Sequence, residues 1–285
     1  MPSFTRFYKY ALGGLGAVGS AYFVYYNMYG HPEQVQVCNW TSLEYSRKWD
    51  NNWDRRDPKS LMKPMQVRNE EDENRYNKQL AAYKPKAVKH YFLIRHGQYN
   101  RDGKRDSERG LTPLGRLQAE ATGKRLAELG VPYTLIVKST MTRAQETSKI
   151  IEQSLATVNV EHDNLLTEGN PYPLDPLSGV WRTERSYFVD GPRIEAAFRR
   201  YLHRADPSQK QDSYTVLVCH ANVIRYFVCR ALQLPPEAWI RISLKHGSIT
   251  MLSIYPNGKV TLHFLGDCGH MEPKLLTTSR SLKLT

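Results

Sequence analysis

The sequence lacks the motifs of the common metal-dependent and nucleotide-dependent enzymes. It contains no H-E-x-x-H, no C-x-x-C pair, no G-x-S-x-G and no Walker A lysine. Its nine histidines are scattered along the chain and do not have the spacing of metal ligands. These absences argue against a zinc protease, a serine hydrolase of the α/β type and a P-loop enzyme. We expect no metal and no other cofactor.

Cysteine is also scarce, with four residues in a chain of 285. The spacings match neither a zinc site nor a dense disulfide framework. Cys219 and Cys229 lie in the apolar patterns TVLVCH and RYFVCRAL, which are typical of small buried hydrophobic side chains. A reducing compartment is the simplest expectation.

Long runs of like charge are absent, although the formal net charge is +12. Such an excess of positive charge favours an anionic partner, which could be nucleic acid, a membrane surface or a phosphorylated substrate. No nucleic-acid-binding motif accompanies the charge, so nucleic acid is not expected as a partner. A solvated surface of mixed charge is the alternative explanation.

Charged residues are missing from residues 10–30, which follow a short N-terminal segment of residues 1–9. About 20 such residues suffice to span a bilayer. We expect a membrane anchor that is retained, because no small-residue cleavage signal clearly follows; a removed targeting segment is the alternative. The G-x-G-x-x-G match at residues 14–19 lies in this segment with no strand before it, so we do not interpret it as a dinucleotide site.

The rest of the chain divides by composition. Residues 31–89 are polar and are predicted to form an extended linker arm. From residue 90 to about residue 270, strand and helix patterns alternate, and residues 271–285 form a C-terminal tail. Alternation of this kind predicts an α/β fold, a single three-layer domain with a mostly parallel sheet flanked by helices.

The predicted elements can be given by number. Strands are expected at residues 91–94, 134–137, 214–219, 248–255 and 260–265, the last two forming a hairpin at the sheet edge. Helices are expected at residues 113–129, 141–155, 192–204 and 222–232. Residues 164–190 are predicted to form a proline-bearing loop, whose unusual length indicates a function.

Polar side chains follow three of the predicted strands. Arg95 and His96 come directly after the first strand, Arg143 follows the second and His220 follows the third. Ligands of such sheets bind beyond the carboxyl ends of the strands. We therefore expect these side chains to converge at one edge, together with Glu168 from the long loop.

Two arginines and two histidines form a pocket suited to an anion, because the planar guanidinium fork matches phosphate oxygens. A neutral histidine such as His96 can attack phosphorus, and the surrounding cations offset the charge of the transferring group. A carboxylic acid must protonate the departing oxygen and then activate water. Glu168 is the candidate; Asp175, Glu184 and Asp190 lie further along the predicted loop without a motif to place them.

Structural explanations stay open for these residues. The R-H-G tripeptide alone is a weak signal. Arg143 could pair with Glu146 on the helix surface, and His220 could cap its strand and donate to the backbone. Their joint placement after predicted strands is what favours catalysis.

Four stretches in order, LIRHGQ, LTPLGRLQA, STMTRAQET and VCHANVIR, resemble the motifs of the histidine phosphatase, or phosphoglycerate-mutase-like, superfamily. The resemblance covers about residues 90–265 and implies a metal-independent phosphatase domain at residues 90–270. It also implies that His96 is the phosphorylated nucleophile and that Glu168 is the proton donor. By this resemblance the catalytic residues are His96, Glu168 and His220, and the phosphate-binding residues are Arg95, Arg143 and His220.

The arm carries the stretch WDNNWD, residues 49–54. It resembles a stretch found in a mitochondrial, membrane-anchored branch of the superfamily that acts on phosphoserine and phosphothreonine in proteins. The resemblance implies a single-pass N-terminal anchor in a mitochondrial membrane, and self-association that raises activity. The implied multimerisation residues are Trp49, Asp50, Trp53 and Asp54. From the residues alone, both tryptophans would pack either on the chain's own domain or on a partner.

Two departures limit the resemblance. Tyr99 and Asp102 stand where small-molecule mutases of the superfamily usually carry Ser or Thr and Asn, which argues against mutase activity and for a different acceptor pocket. Residues 70–73 stand where relatives carry a partner-binding motif with a Ser-Gly turn; the turn is missing, so that partner is not expected. A phosphatase or mutase of small phosphorylated metabolites and a non-catalytic membrane scaffold are the alternative functions.

Overall fold

A six-stranded sheet organises the computed structural model, which describes residues 48–175 and 183–278. The strands are β1 (Lys89–Arg95), β2 (Leu135–Ser139), β3 (Asn159–Asp163), β4 (Ser213–Cys219), β5 (Ile249–Ile254) and β6 (Val260–Asp267). Their order across the sheet is β3-β2-β4-β1-β5-β6. The first four strands pair in parallel, and β5 and β6 form an antiparallel hairpin at one edge.

The helices are α1 (Pro58–Leu61), α2 (Glu70–Ala82), α3 (Pro113–Glu128), α4 (Thr142–Glu152), α5 (Glu184–Tyr201) and α6 (Ala221–Ala231). Helices α3 to α6 belong to the domain that contains this sheet, and α1 and α2 precede it in the arm. The predicted α/β fold with a mostly parallel sheet is therefore confirmed. The predicted membrane anchor at residues 10–30 lies outside the described residues, and among the helices that are described none has both the length and the hydrophobicity of a membrane span.

The centre of the core is built by β1 and β4. Their apolar runs, residues 92–94 and 216–218, are almost completely inaccessible to solvent. A parallel strand covered on both faces carries a continuous run of branched and aromatic residues instead of an alternating pattern. The same burial fixes the register of the two strands, with Ile94 opposite Val218 and Arg95 opposite Cys219.

The segment between β2 and β4 differs from the sequence prediction. Residues 159–163 form β3, an edge strand in which only Asp163 is buried, so no apolar pattern reveals it. Helix α5 begins at Glu184, with Thr183 as its N-cap, and contains Pro192 in its interior. The predicted start at Pro192 was wrong, since proline usually opens a helix or breaks one. Glu184 and Asp190 are therefore helical, not part of a loop.

The described part of the arm contains helices α1 and α2 and packs partly on the domain, so it is not extended throughout. Trp53 is buried, its ring lies 5.8 Å from that of Phe198, and its Nε1 donates a hydrogen bond of 2.8 Å to the Gly258 carbonyl. Asp54 accepts a hydrogen bond of 2.6 Å from Arg204. Of the two alternatives for the tryptophans, packing on the chain's own domain is observed for Trp53.

Candidate active site

His96 stands directly after β1, at the carboxyl edge of the sheet. Its backbone N–H donates to the Cys219 carbonyl at 3.1 Å, so the parallel pairing of β1 with β4 continues to the candidate nucleophile. The Arg95 carbonyl accepts from the Gly247 N–H at 3.0 Å, on the side where β5 begins. Neighbouring chain segments on both sides therefore fix the position of His96.

The turn after His96 passes against the first turn of α3 at very short range. A Cβ atom on Gly97 would lie 2.4 Å from the Gly115 carbonyl oxygen, and one on Gly115 would lie 1.9 Å from the Gln98 carbonyl oxygen. Real Cβ atoms do not approach oxygen that closely, so both positions need glycine. Packing therefore explains the glycine of the R-H-G motif: without a side chain, it allows the first turn of α3 to lie directly against the turn after His96.

The hydrogen bonds of the His96 ring define its tautomer. Nδ1 lies 2.8 Å from the Gly97 carbonyl oxygen, which can only accept, so Nδ1 carries the hydrogen. Nε2 accepts a bond of 3.3 Å from the Arg143 Nε–H. The Nε2 lone pair is therefore unprotonated and points toward a guanidinium.

The electrostatic surroundings keep this imidazole neutral. Burial lowers the pKa of His96 well below 6.5, and the nearby His220 ring and the Arg95 and Arg143 guanidinium groups lower it further. Burial is the largest cause because a desolvated imidazolium loses its hydration without gaining a carboxylate partner. A neutral ring with a free nitrogen is the form that can act as a nucleophile.

Arg143 enters the site from the first turn of α4. Asp106 caps this helix from outside, accepting from the Thr142 N–H and from the Thr142 hydroxyl at 2.8 Å each. The Arg143 guanidinium lies 4.7 Å above the centre of the Tyr99 ring, and its buried Nη1 has no hydrogen-bond partner within the described part of the chain. It forms an ion pair with Asp106 Oδ1 at 3.6 Å, which is too long for a hydrogen bond, so Nη1 can still donate to an anionic ligand.

The alternative pairing of Arg143 with Glu146 is wrong. The Glu146 carboxylate accepts instead from the Arg116 guanidinium and from the Leu111 N–H, both at 2.9 Å. Glu146 thus belongs to the contacts of α4 with α3 and with the segment leading into α3.

Arg95 is positioned by a residue that the sequence analysis missed. Its Nη1 donates to the Leu244 carbonyl at 2.6 Å, and its Nη2 lies 3.0 Å from His246 Nε2. Burial lowers the pKa of His246 to about 3, with Arg95 as the next cause, so this ring is neutral and accepts from the guanidinium. No motif marks His246, which comes to the site because β5 runs antiparallel to β1.

His220 lies on the other side of His96, directly after the end of β4. Its ring lies 5.1 Å from that of His96, and its Nε2 is 2.8 Å from the Ser139 hydroxyl at the end of β2. Burial, followed by Arg143 and Arg95, lowers the pKa of His220 well below 6.5. Its buried Nδ1 has no partner in residues 48–175 and 183–278, so the alternative in which this ring donates to the backbone is not observed.

Glu168 reaches the site from the loop after β3. Its Oε1 accepts from the Gly169 N–H at 3.2 Å and from the Asn222 N–H, in the first turn of α6, at 3.3 Å. Burial raises the pKa of Glu168, whereas Arg143 opposes the shift. The carboxyl therefore holds its proton to a higher pH than a solvated glutamate does.

The structure brings Arg95, His96, Arg143 and His220 together, and Glu168 is close enough for its charge to raise the pKa of both arginines against the effect of burial. Asp175, one of the other carboxylates considered, forms a surface ion pair of 2.6 Å with Arg241. Among the described residues, no group of three or more His, Cys, Asp or Glu side chains is arranged to hold a metal ion.

The depressed histidine pKa values predict how stability depends on pH. The unfolded chain takes up protons at His96, His220 and His246 below pH 6.5, whereas the folded chain does not, so stability is lost as the pH falls through that value. Glu168, with a raised pKa, contributes with the opposite sign. We expect His220→Gln to reduce the loss between pH 6.5 and pH 5 by the contribution of one histidine, about 1 kcal/mol per pH unit.

Urea unfolding followed by circular dichroism at several pH values measures this slope. His162→Gln on the exposed face of β3 is the control and is expected to match the wild type. An unchanged slope in His220→Gln would show that this ring is not buried in its neutral form.

Comparison with known proteins places this fold and site in a class. Residues 91–175 and 181–266 match the family model of the histidine phosphatase superfamily (branch 1). The match covers more than half of the chain, which therefore belongs to this superfamily and is a phosphatase. The resemblance inferred from the four sequence motifs is confirmed.

The chain also has relatives of high sequence identity, which share one protein name. The chain is similar to the mitochondrial serine/threonine-protein phosphatase PGAM5 of Xenopus laevis, with 56% identity over 224 residues, 79% of this chain and 82% of the relative. The Homo sapiens protein of that name is 54% identical over 232 residues, 81% of this chain and 80% of the relative. The Drosophila grimshawi protein is 47% identical over 285 residues, 97% and 96% of the two chains.

Proposed function

We propose that the chain removes phosphate from phosphoserine and phosphothreonine in proteins through a covalent phosphohistidine at His96. The observation that carries this proposal is the state of the His96 ring, which is neutral, hydrogen-bonded through Nδ1–H and faces Arg143 with an unprotonated Nε2. The names of the relatives support the substrate class.

In the first step, the phosphate group displaces Arg143 from Nε2 and takes its place among the cations. Its oxygens are bound by Arg95, by Arg143 Nη1 and by His220 Nδ1 in the tautomer that carries its hydrogen there; neither of the last two nitrogens has a hydrogen bond within the described residues. Nε2 attacks phosphorus in line with the leaving oxygen, so that a P–N bond forms as the P–O bond breaks. Glu168 gives its proton to the departing serine or threonine oxygen.

In the second step, water attacks the phosphohistidine. The Glu168 carboxylate takes a proton from this water, the P–N bond breaks, and its electron pair returns to Nε2. Inorganic phosphate leaves, and the site regains a neutral His96 and a protonated Glu168. The guanidinium groups supply the positive charge that the transferring group needs, so we propose that no metal or other cofactor takes part.

The proposal includes a location and an assembly. Mitochondrial location rests on the names of the relatives, and a single-pass anchor at residues 10–30 rests on the absence of charge there. Self-association through residues 49–54 rests on the W-D-x-N-W-D resemblance. Within this stretch, Trp53 and Asp54 are held on their own domain by hydrogen bonds with the Gly258 carbonyl and with Arg204.

A brief incubation with labelled phosphoserine peptide tests the proposal. We expect label on His96 that is stable in alkali and lost in acid, and turnover that is unaffected by a chelator. Phosphopeptide is expected to turn over faster than 3-phosphoglycerate; the reverse order would favour the small-metabolite alternative. Label on another residue, or none in a chain that turns over substrate, would contradict a phospho-His96 intermediate.

A further inference from the structure

The candidate acid Glu168 lies on a segment without regular structure. Residues 167–175 contain neither helix nor strand. A group that transfers a proton to a reacting oxygen must be held within about 0.5 Å of its productive position. The backbone of this segment therefore needs external support.

Arg193, in the middle of α5, supplies much of that support. Its Nη1 donates to the Leu165 carbonyl at 3.0 Å and to the Thr167 carbonyl at 2.6 Å. Its Nη2 donates to the carbonyl of Glu168 itself at 3.2 Å. One guanidinium thus binds three carbonyl groups around the candidate acid.

Asp190, one turn earlier on α5, completes the arrangement. Its Oδ1 accepts from Arg193 Nη2 at 2.9 Å, and its Oδ2 accepts from the Asn170 N–H at 2.9 Å. Their side chains are only 18% (Arg193) and 22% (Asp190) exposed, so the ion pair is partly shielded from water. The two residues hold the backbone on both sides of Glu168.

The close contact between helix and loop depends on glycine. A Cβ atom on Gly169 would lie 2.5 Å from Arg193 Nη2 and 2.5 Å from the Asp190 carboxyl carbon. From the other side, the Asn222 side-chain amide donates to the Gly169 carbonyl at 2.9 Å. The segment that carries Glu168 is therefore held by hydrogen bonds with side chains of both α5 and α6.

We infer that Arg193 and Asp190 are positioning residues for proton transfer by Glu168, an inference that rests on the function proposed above. Their role is to place the Glu168 carboxyl against the oxygen that leaves phosphorus. Loss of this placement slows the departure of an alkoxide, which needs a proton. It leaves the departure of p-nitrophenolate almost unchanged, because that anion is stable without one.

Rapid-quench measurement of phosphoenzyme formation tests the inference with two substrates, a phosphoserine peptide and p-nitrophenyl phosphate. Lysine cannot reproduce the fork of Arg193. We expect Arg193→Lys to slow phosphoenzyme formation from the peptide about 100-fold, and from p-nitrophenyl phosphate less than about threefold. Asp190→Asn keeps the shape of the side chain and one hydrogen-bond acceptor. It is expected to slow phosphoenzyme formation from the peptide about tenfold and to leave the rate from p-nitrophenyl phosphate almost unchanged.

Two reference variants interpret the result. Arg199→Lys changes an arginine on the same helix that is 64% exposed, and it is expected to behave as the wild type. Glu168→Gln is expected to slow phosphoenzyme formation strongly from the peptide and only slightly from p-nitrophenyl phosphate. If Glu168→Gln shows this contrast between the substrates and neither Arg193→Lys nor Asp190→Asn does, the positioning role is wrong while the proposed function stands. If Glu168→Gln shows no contrast, the proposed role of Glu168 fails and the positioning role with it.

Discussion

Replacement of His96 by alanine is expected to remove phosphatase activity almost completely, with a loss of kcat of about 10⁴-fold or more. The reason is that alanine has no nitrogen to accept phosphorus, and the cations that remain can only bind the phosphate. The loss is measured as release of inorganic phosphate from a phosphoserine peptide by the full chain. The acid-labile label is expected to disappear in the same variant.

The matched control is His162→Ala, which changes a histidine exposed on the edge strand β3. It is expected to keep the activity of the wild type. Substantial turnover by His96→Ala would contradict the covalent mechanism and would direct attention to direct attack by water in the same cationic pocket. Unchanged cellular effects of His96→Ala, together with loss of those effects in Trp49→Ala, would favour the scaffold alternative.

Replacement of Arg204 by alanine is expected to lower the free energy of unfolding by about 3–5 kcal/mol, because it leaves a buried carboxylate without its partner. Arg204 Nη2 and Asp54 Oδ1 are 2.6 Å apart, and both side chains are 1% exposed. Burial by itself would raise the pKa of Asp54, but the hydrogen bonds and charge of Arg204 outweigh it and lower that pKa. Arg204 also donates to the Asn51 carbonyl at 3.1 Å, so its loss releases the arm.

Urea unfolding at neutral pH measures this effect. Arg200→Ala is the control, since its ion pair with Asp163 involves an arginine side chain that is 58% exposed and is expected to contribute less than about 1 kcal/mol. The double variant Asp54→Asn/Arg204→Ala is expected to be more stable than the sum of the single losses predicts, because no carboxylate charge is then left unpaired. Equal losses in Arg204→Ala and Arg200→Ala would show that the arm does not dock in solution.

Some elements could be predicted because their pattern is local. The apolar runs of β1 and β4 indicate strands buried on both faces, and the structure has both. Helix α3 carries its own boundary signals, with Thr112 as N-cap, Pro113 at the first helical position and Gly130 with a positive φ after the end.

Other elements could not be predicted because their stability comes from contacts with distant residues. Strand β3, with the sequence NVEHD, has no apolar face and exists through its pairing with β2. Helix α5 begins eight residues before the proline that would normally mark its start. Its buried side chains, among them Ile194 and Phe198, hold the helix on the domain despite the missing N–H of Pro192.

The sequence by itself determined the class of fold and the set of candidate catalytic side chains, since the residues after each buried strand of a parallel sheet must meet at one edge. Only the tertiary structure decided which other groups hold these side chains in position. His246 reaches Arg95 through antiparallel pairing of β5, and Arg193 and Asp190 reach the segment of Glu168 through the packing of α5. These contacts join residues far apart in the chain by hydrogen bonds that no local pattern records, because a guanidinium or an imidazole selects its partner by position in space.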